Sequence, residues 1–241
     1  MKTATFIAIT LVSGAIAGTI LGAVNQVIVE PYIERAIALE MQGAAQSGEI
    51  INPFDFAAYR FWQKGGEIAA GTVLGMSLGS LFGIVFAYGR GSVPGSSNKK
   101  KALIITGIMW FTLFLVPALK YPANPPAVGD PETIYYRQGL YIAFLAISGF
   151  SALGLAFLYG KLGAVNAKKA IIPGMYVAIM AGAYLAVPPN PDPINAPMDL
   201  VMGFRITSAL TMSMFWGLLG ITLGALWDRL RPHEATKVSM R

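Results

Sequence analysis

The sequence predicts an all-α polytopic membrane protein with six transmembrane helices. Three observations carry that prediction. Charged residues make up 12% of the 241 positions and hydrophobic residues 55%, so charge is at about half the share found in a soluble domain. The charges leave six uncharged runs of 18 residues or more: Ala4–Val29, Ile68–Gly89, Ala102–Leu119, Gln138–Gly160, Ala170–Val187 and Ile206–Trp227. The basic residues, finally, gather in alternate connecting segments.

Each run is long enough to cross a hydrocarbon core, which takes roughly 20 apolar residues. In lipid the backbone must satisfy its own hydrogen bonds, so each run is a helix. Alternating polarity, the mark of a β-barrel strand, is missing from them. The predicted spans lie at about 4–29, 66–89, 102–119, 138–160, 170–187 and 203–227, within a single transmembrane domain covering 1–241. The first run follows Lys2, as in a signal peptide, but is too long for the usual apolar region of one, and is read as a retained helix.

In the first span Gly14, Gly18 and Gly22 recur every fourth residue; in the second, Gly71, Gly75, Gly79 and Gly83 do the same. Such spacing lines up one helix face. Small residues let backbones approach where lipid supplies no hydrophobic drive between helices, so the two faces are expected to pack together. Between these spans, Glu30–Glu40 suits a short helix with Pro31 in its first turn and Ile33, Ile37 and Met41 on one side. The stretch Pro53–Trp62 has the amphipathic content of an interfacial segment.

The remaining spans suggest a repeat. Gly83-Ile-Val-Phe-Ala-Tyr-Gly-Arg90 matches Gly154-Leu-Ala-Phe-Leu-Tyr-Gly-Lys161 and, more weakly, Thr222-Leu-Gly-Ala-Leu-Trp-Asp-Arg229. Arg137 and Arg205 each precede the far basic residue of their own helix by 24 positions, and each follows a Pro-rich loop carrying Asn and Asp. The pattern implies three hairpins, each a helix, an outer loop and a helix, as in transporters built from parallel repeats.

Charge sets the orientation. The N-terminus, the loops near 89–101 and 161–169 and the tail hold twelve Lys and Arg against two acids; the other segments hold six against ten. The positive-inside rule then places both termini in the cytoplasm of a multi-pass cell-membrane protein. The formal charge of +6 is read as topology, and no nucleic-acid partner is expected.

There is no cysteine, which excludes disulfides and thiolate metal sites. No nucleophile–base pair and no metal-ligating His cluster is evident, so the chain reads as a non-enzyme needing no cofactor. The single histidine, His233, lies in the tail. The candidate metal-binding groups are Asp130, Glu132, Asp192 and Asp199, with Asn124, Asn190 and Asn195 beside them. Oxygen donors of this kind can attract a divalent cation, and they also cap helices and turns. Asp130 is a plausible N-cap with Pro131 at the first helical position. Arg137 and Arg205 are expected to pair with Asp130 and Asp199 where their helices enter the bilayer. Met198, Met202, Met212 and Met214 could add thioether sulfur or simply pack.

Two motifs carry a resemblance. Val29-Glu-Pro-Tyr-Ile-Glu-Arg-Ala-Ile-Ala-Leu-Glu40 and Leu119-Lys-Tyr-Pro-Ala-Asn-Pro-Pro-Ala-Val-Gly-Asp-Pro-Glu-Thr-Ile134 are similar to the CbtA family of predicted cobalt transporter subunits. The resemblance covers the whole chain. It implies a membrane protein that moves cobalt, often under cobalamin-linked control, alongside a small His-bearing partner, CbtB. From residues alone, a non-transporting subunit that scaffolds a larger membrane complex is the competing reading.

Overall fold

The computed structural model describes residues 2–48, 52–126, 128–162 and 167–232. The described residues form helices α1 (Thr3–Ile28), α2 (Glu30–Gln46), α3 (Pro53–Gly89), α4 (Asn98–Trp110), α5 (Val116–Lys120), α6 (Ile134–Lys161), α7 (Lys168–Ala186) and α8 (Met198–Leu230). A π-helical turn, Phe111–Leu115, joins α4 to α5, and a 3-10 turn, Pro131–Thr133, leads into α6. Six helices are long and apolar enough to span a membrane: α1, α3, the composite Asn98–Lys120, α6 with its lead-in turn, α7 and α8.

α3 differs from the expected boundaries. Its 37 residues reach about 55 Å at 1.5 Å per residue, against a hydrocarbon core of about 30 Å. The segment expected to lie separately at the interface is the first part of this helix. Asn52 caps it, accepting the Phe54 N–H at 3.0 Å, and Pro53 occupies the first turn. Nothing between Trp62 and Ile68 breaks the helix; Gly65 and Gly66 are tolerated within it.

α1 lies between α3 and α8, and α8 lies between α1 and α4. The tightest pairing is α1 with α3, and glycine is the reason. A Cβ on Gly75 would sit 2.2 Å from the carbonyl oxygen of Gly14, and one on Gly18 would sit 2.1 Å from that of Gly71. A Cβ on Gly79 would sit 2.7 Å from Thr10 O, and one on Gly83 would strike the Thr10 methyl. Elsewhere in this four-helix body Phe82, Phe86, Phe215, Leu219, Leu223 and Trp227 are buried together, and Gly220 and Gly224 of α8 leave room for Thr106 and Lys99 of α4.

The end bearing the termini is tied by polar contacts. Lys2 N–H donates to Pro232 O at 2.7 Å. Asp228 of α8 caps α4, accepting the N–H groups of Asn98 and Lys99, both at 3.1 Å. At the opposite end α2 packs on α1 and α8. Its Tyr32 ring fills the space above Gly203, where a Cβ would sit 2.2 Å from it.

α6 and α7 stand apart. They pack on each other around Phe144, Leu155, Tyr176 and Met180 and rest on the π-turn and α5, where Lys120 donates to the Tyr184 carbonyl of α7 at 2.7 Å. The expected third hairpin is therefore not a packed pair. α7 lies on α6, while α8 lies on α1 and α4, and residues 187–197 carry the chain between them.

Candidate functional site at the loops opposite the termini

The loops before α6 and before α8 meet at the end opposite the termini. Proline keeps both out of helix and sets them in extended paths. Asp130 caps the 3-10 turn, accepting the Glu132 N–H at 2.8 Å, with Pro131 in the first turn.

The two arginines find partners other than the expected ones. Arg137 pairs with Asp192, Nε to Oδ2 at 3.0 Å, and donates to the backbone carbonyls of Asp130 and Val128. Asp192 also accepts from the Asp130 N–H at 2.8 Å and the Thr133 hydroxyl at 2.7 Å, and its side chain is only 7% exposed. Arg205 reaches the Asn124 side-chain oxygen at 2.7 Å. Each arginine thus takes its partner from the other's loop. The Asp130 carboxylate is occupied in capping its own turn, so it offers Arg137 a carbonyl instead. Asp199, in the first turn of α8, is drawn away by Arg35 of α2 at 2.7 Å.

Electrostatics follow the geometry. The Thr133 hydroxyl, the Asp130 N–H and Arg137 hold the Asp192 carboxyl below its usual range, against burial. Asp192 is a carboxylate at neutral pH.

Gly129 is the residue that sequence reasoning overlooked. Its φ is +100°, in a region that L side chains avoid. A Cβ there would stand 2.6 Å from Arg137 Nη1 and 2.7 Å from Asp192 Oδ2. The one available signal was a Gly-Asp-Pro turn immediately before a helix.

The structure brings Asp130, Glu132 and Asp192 into one loop cluster and leaves Asp199 with α2. Asp130 and Glu132 are exposed. Among the described residues no three His, Cys, Asp or Glu side chains come together to hold a metal ion. Met198 and Met202 are exposed, and His233 lies outside the described residues. Gly71, Gly75, Gly79 and Gly83 all lie against α1.

Two polar features lie elsewhere. Glu30, buried at the foot of α2, accepts from Arg60 and lies 3.5 Å from Lys64. They line a recess of about 380 Å³ with Glu67 and Gln63. Near the middle of the spans, Ser148 donates to the Thr112 carbonyl and shares a 2.6 Å hydrogen bond with the Tyr176 hydroxyl.

No curated protein and no solved structure was found to be similar to this chain. Residues 3–228 match the family described as a probable cobalt transporter subunit. With six spans and that match over nearly its whole length, the chain belongs to the CbtA family.

Proposed function

We propose that this chain is the membrane-spanning subunit of a divalent-cation transport system, with cobalt as the cation and the outer loops as its collecting mouth. The observation that carries the reading is the loop cluster itself. Asp130 and Glu132 present exposed carboxylates beside the buried Asp192, where the loops of two hairpins cross. Fixed negative charge at a mouth raises the local cation concentration before any specific ligand acts. The termini face the cytoplasm in this reading, as the charge distribution requires. The chain has no cysteine and one histidine, so softer ligands for cobalt would come from a small His-bearing membrane partner of the CbtB kind.

The test neutralises the two exposed carboxylates and leaves Asp192 intact. Asp130→Asn with Glu132→Gln keeps a competent N-cap while removing the charge. Cells carrying the double variant should accumulate less cobalt than wild type at equal membrane abundance. Normal accumulation at normal abundance would remove the mouth from the transport path.

One observation favours a second reading. Gly139, Gly154, Gly160, Gly174 and Gly182 on α6 and α7 have no neighbour near a would-be Cβ. A non-transporting scaffold that seats another subunit would keep such faces open. It is distinguished by co-purification of a fixed partner together with cobalt uptake that is unchanged when this chain is removed.

A further inference from the structure

Among the described residues, α6 and α7 are attached to the rest of the molecule chiefly at two places. One is the π-turn and α5, on which α6 packs and where Lys120 donates to the Tyr184 carbonyl of α7. The other is the loop crossing, where Arg137 of α6 meets Asp192, Arg205 of α8 meets Asn124, and Tyr121 donates to Pro188 O. Toward the termini the pair leaves the body. Ile104, Ile108 and Phe111 share one face of the third span by their spacing. Phe111 meets the Tyr176 ring of α7 at 6.0 Å between centroids, yet Ile104 and Ile108 are 41% and 53% exposed. The two parts form a wedge, joined in the middle and at the outer end and open toward the termini.

The joint has the construction of a swivel. The Val116 N–H reaches back to the Phe111 carbonyl, in the π pattern. The next acceptor, Thr112 C=O, would need an N–H from residue 117, which is proline and has none. The Ser148 hydroxyl supplies that hydrogen bond, and Tyr176 donates in turn to Ser148. A π-turn beside a proline is where a membrane helix bends. Here α6 is hydrogen-bonded to that turn through Ser148, and α7 to Ser148 through Tyr176.

The outer contacts read as a latch. Asn124 and Asp192 hold the same position, thirteen residues before Arg137 and Arg205 respectively. Each side chain nevertheless serves the arginine of the other hairpin. The crossing ties the α6 end to the α8 end, and Gly129 leaves room for it.

We propose that α6 and α7 form a rigid arm that swings about the Phe111–Leu115 turn, and that the crossed Asp192–Arg137 and Asn124–Arg205 pairs latch its outer end in the state seen here. In the other state the latch opens and the exposed Ile104–Ile108 face is covered by the arm itself. The inference rests on the transport reading, for which it supplies alternating access by rocking of one bundle against another.

The chain has no native cysteine, so spin labels can be placed at Leu103→Cys and Phe157→Cys, exposed positions near the termini end of α4 and α6. In lipid nanodiscs the otherwise wild-type chain should give one long distance. Adding Asp192→Asn should bring in a shorter population as the wedge closes. For a second arm, Thr133→Cys with Asp192→Cys replaces the latch by a disulfide across a pair whose side chains now touch at 2.7 Å. Modification of Ile108→Cys by membrane-permeant N-ethylmaleimide in that background, with the reductant removed before labelling and the extent read by mass spectrometry on the peptide that carries position 108, should be high when oxidised and fall on reduction. Unchanged distances with Asp192→Asn, or labelling of Ile108→Cys indifferent to the disulfide, would overturn the arm. Neither readout needs cobalt. Cobalt flux into proteoliposomes is scored separately, and should fall to the level of empty vesicles when the disulfide is closed. If distances and labelling switch but no flux is seen in any state, the arm stands and the transport reading fails.

Discussion

Gly75→Ala isolates the contact that holds the four-helix body together. The added methyl carbon would lie 2.2 Å from Gly14 O, 2.7 Å from Gly18 Cα and 2.9 Å from Gly18 N. All three are backbone atoms, so no rotamer change relieves the clash. α1 must shift from α3 by more than 1 Å on the order of a methyl contact, and the neighbouring contacts at Gly71 and Gly79 open with it. Overpacking of this kind costs about 1–3 kcal/mol, with a further loss of dispersion along the seam. For a chain of this size about 1 kcal/mol moves the melting temperature by roughly 2–4 °C, so the variant should melt roughly 2–12 °C below wild type. Gly43→Ala, in α2 with nothing near its would-be Cβ, is the matched control; relief of a helical glycine should stabilise by about 0.5–1 kcal/mol. Thermal unfolding of purified protein in detergent, followed by tryptophan fluorescence and size-exclusion recovery, gives both numbers. Equal melting of Gly75→Ala and wild type would refute the claim that backbone proximity holds α1 to α3.

Removing the α4 cap by Asp228→Ala should cost about 0.5–2 kcal/mol, seen as a lower melting temperature and faster amide exchange at Asn98 and Lys99; unchanged exchange there would mean that the cap is not limiting. Topology is checked with single cysteines at Ser97 and Asn195. An impermeant thiol reagent should label Asn195→Cys and spare Ser97→Cys in intact cells, and the reverse result would invert the orientation.

The sequence by itself determined the spans, because the bilayer imposes a length and a polarity that a linear reading can measure. The six uncharged runs became six helices, and glycine at every fourth position marked the α1–α3 face before any partner was known. Local chemistry was equally legible where both partners lie within a few residues. The Asp130 cap and the helix opening at Pro31 needed nothing distant. The α3 boundary was missed because composition changes at Glu67 while the helix does not.

Only the tertiary structure decided who pairs with whom. Arg137 lies seven residues from Asp130 and 55 from Asp192, and proximity in sequence pointed to the wrong carboxylate. The loops cross, so the pairing is exchanged, and Asp199 is taken by an arginine of α2. Likewise, the repeat motifs could not show that α7 would leave α8 for α6, nor that Ser148 would satisfy a carbonyl stranded by Pro117. Hydrophobic patterning fixes which residues enter the membrane, since that is a property of each segment against lipid. The lateral order of the helices, and the polar contacts that follow from it, depend on complementary shape between segments far apart in the chain.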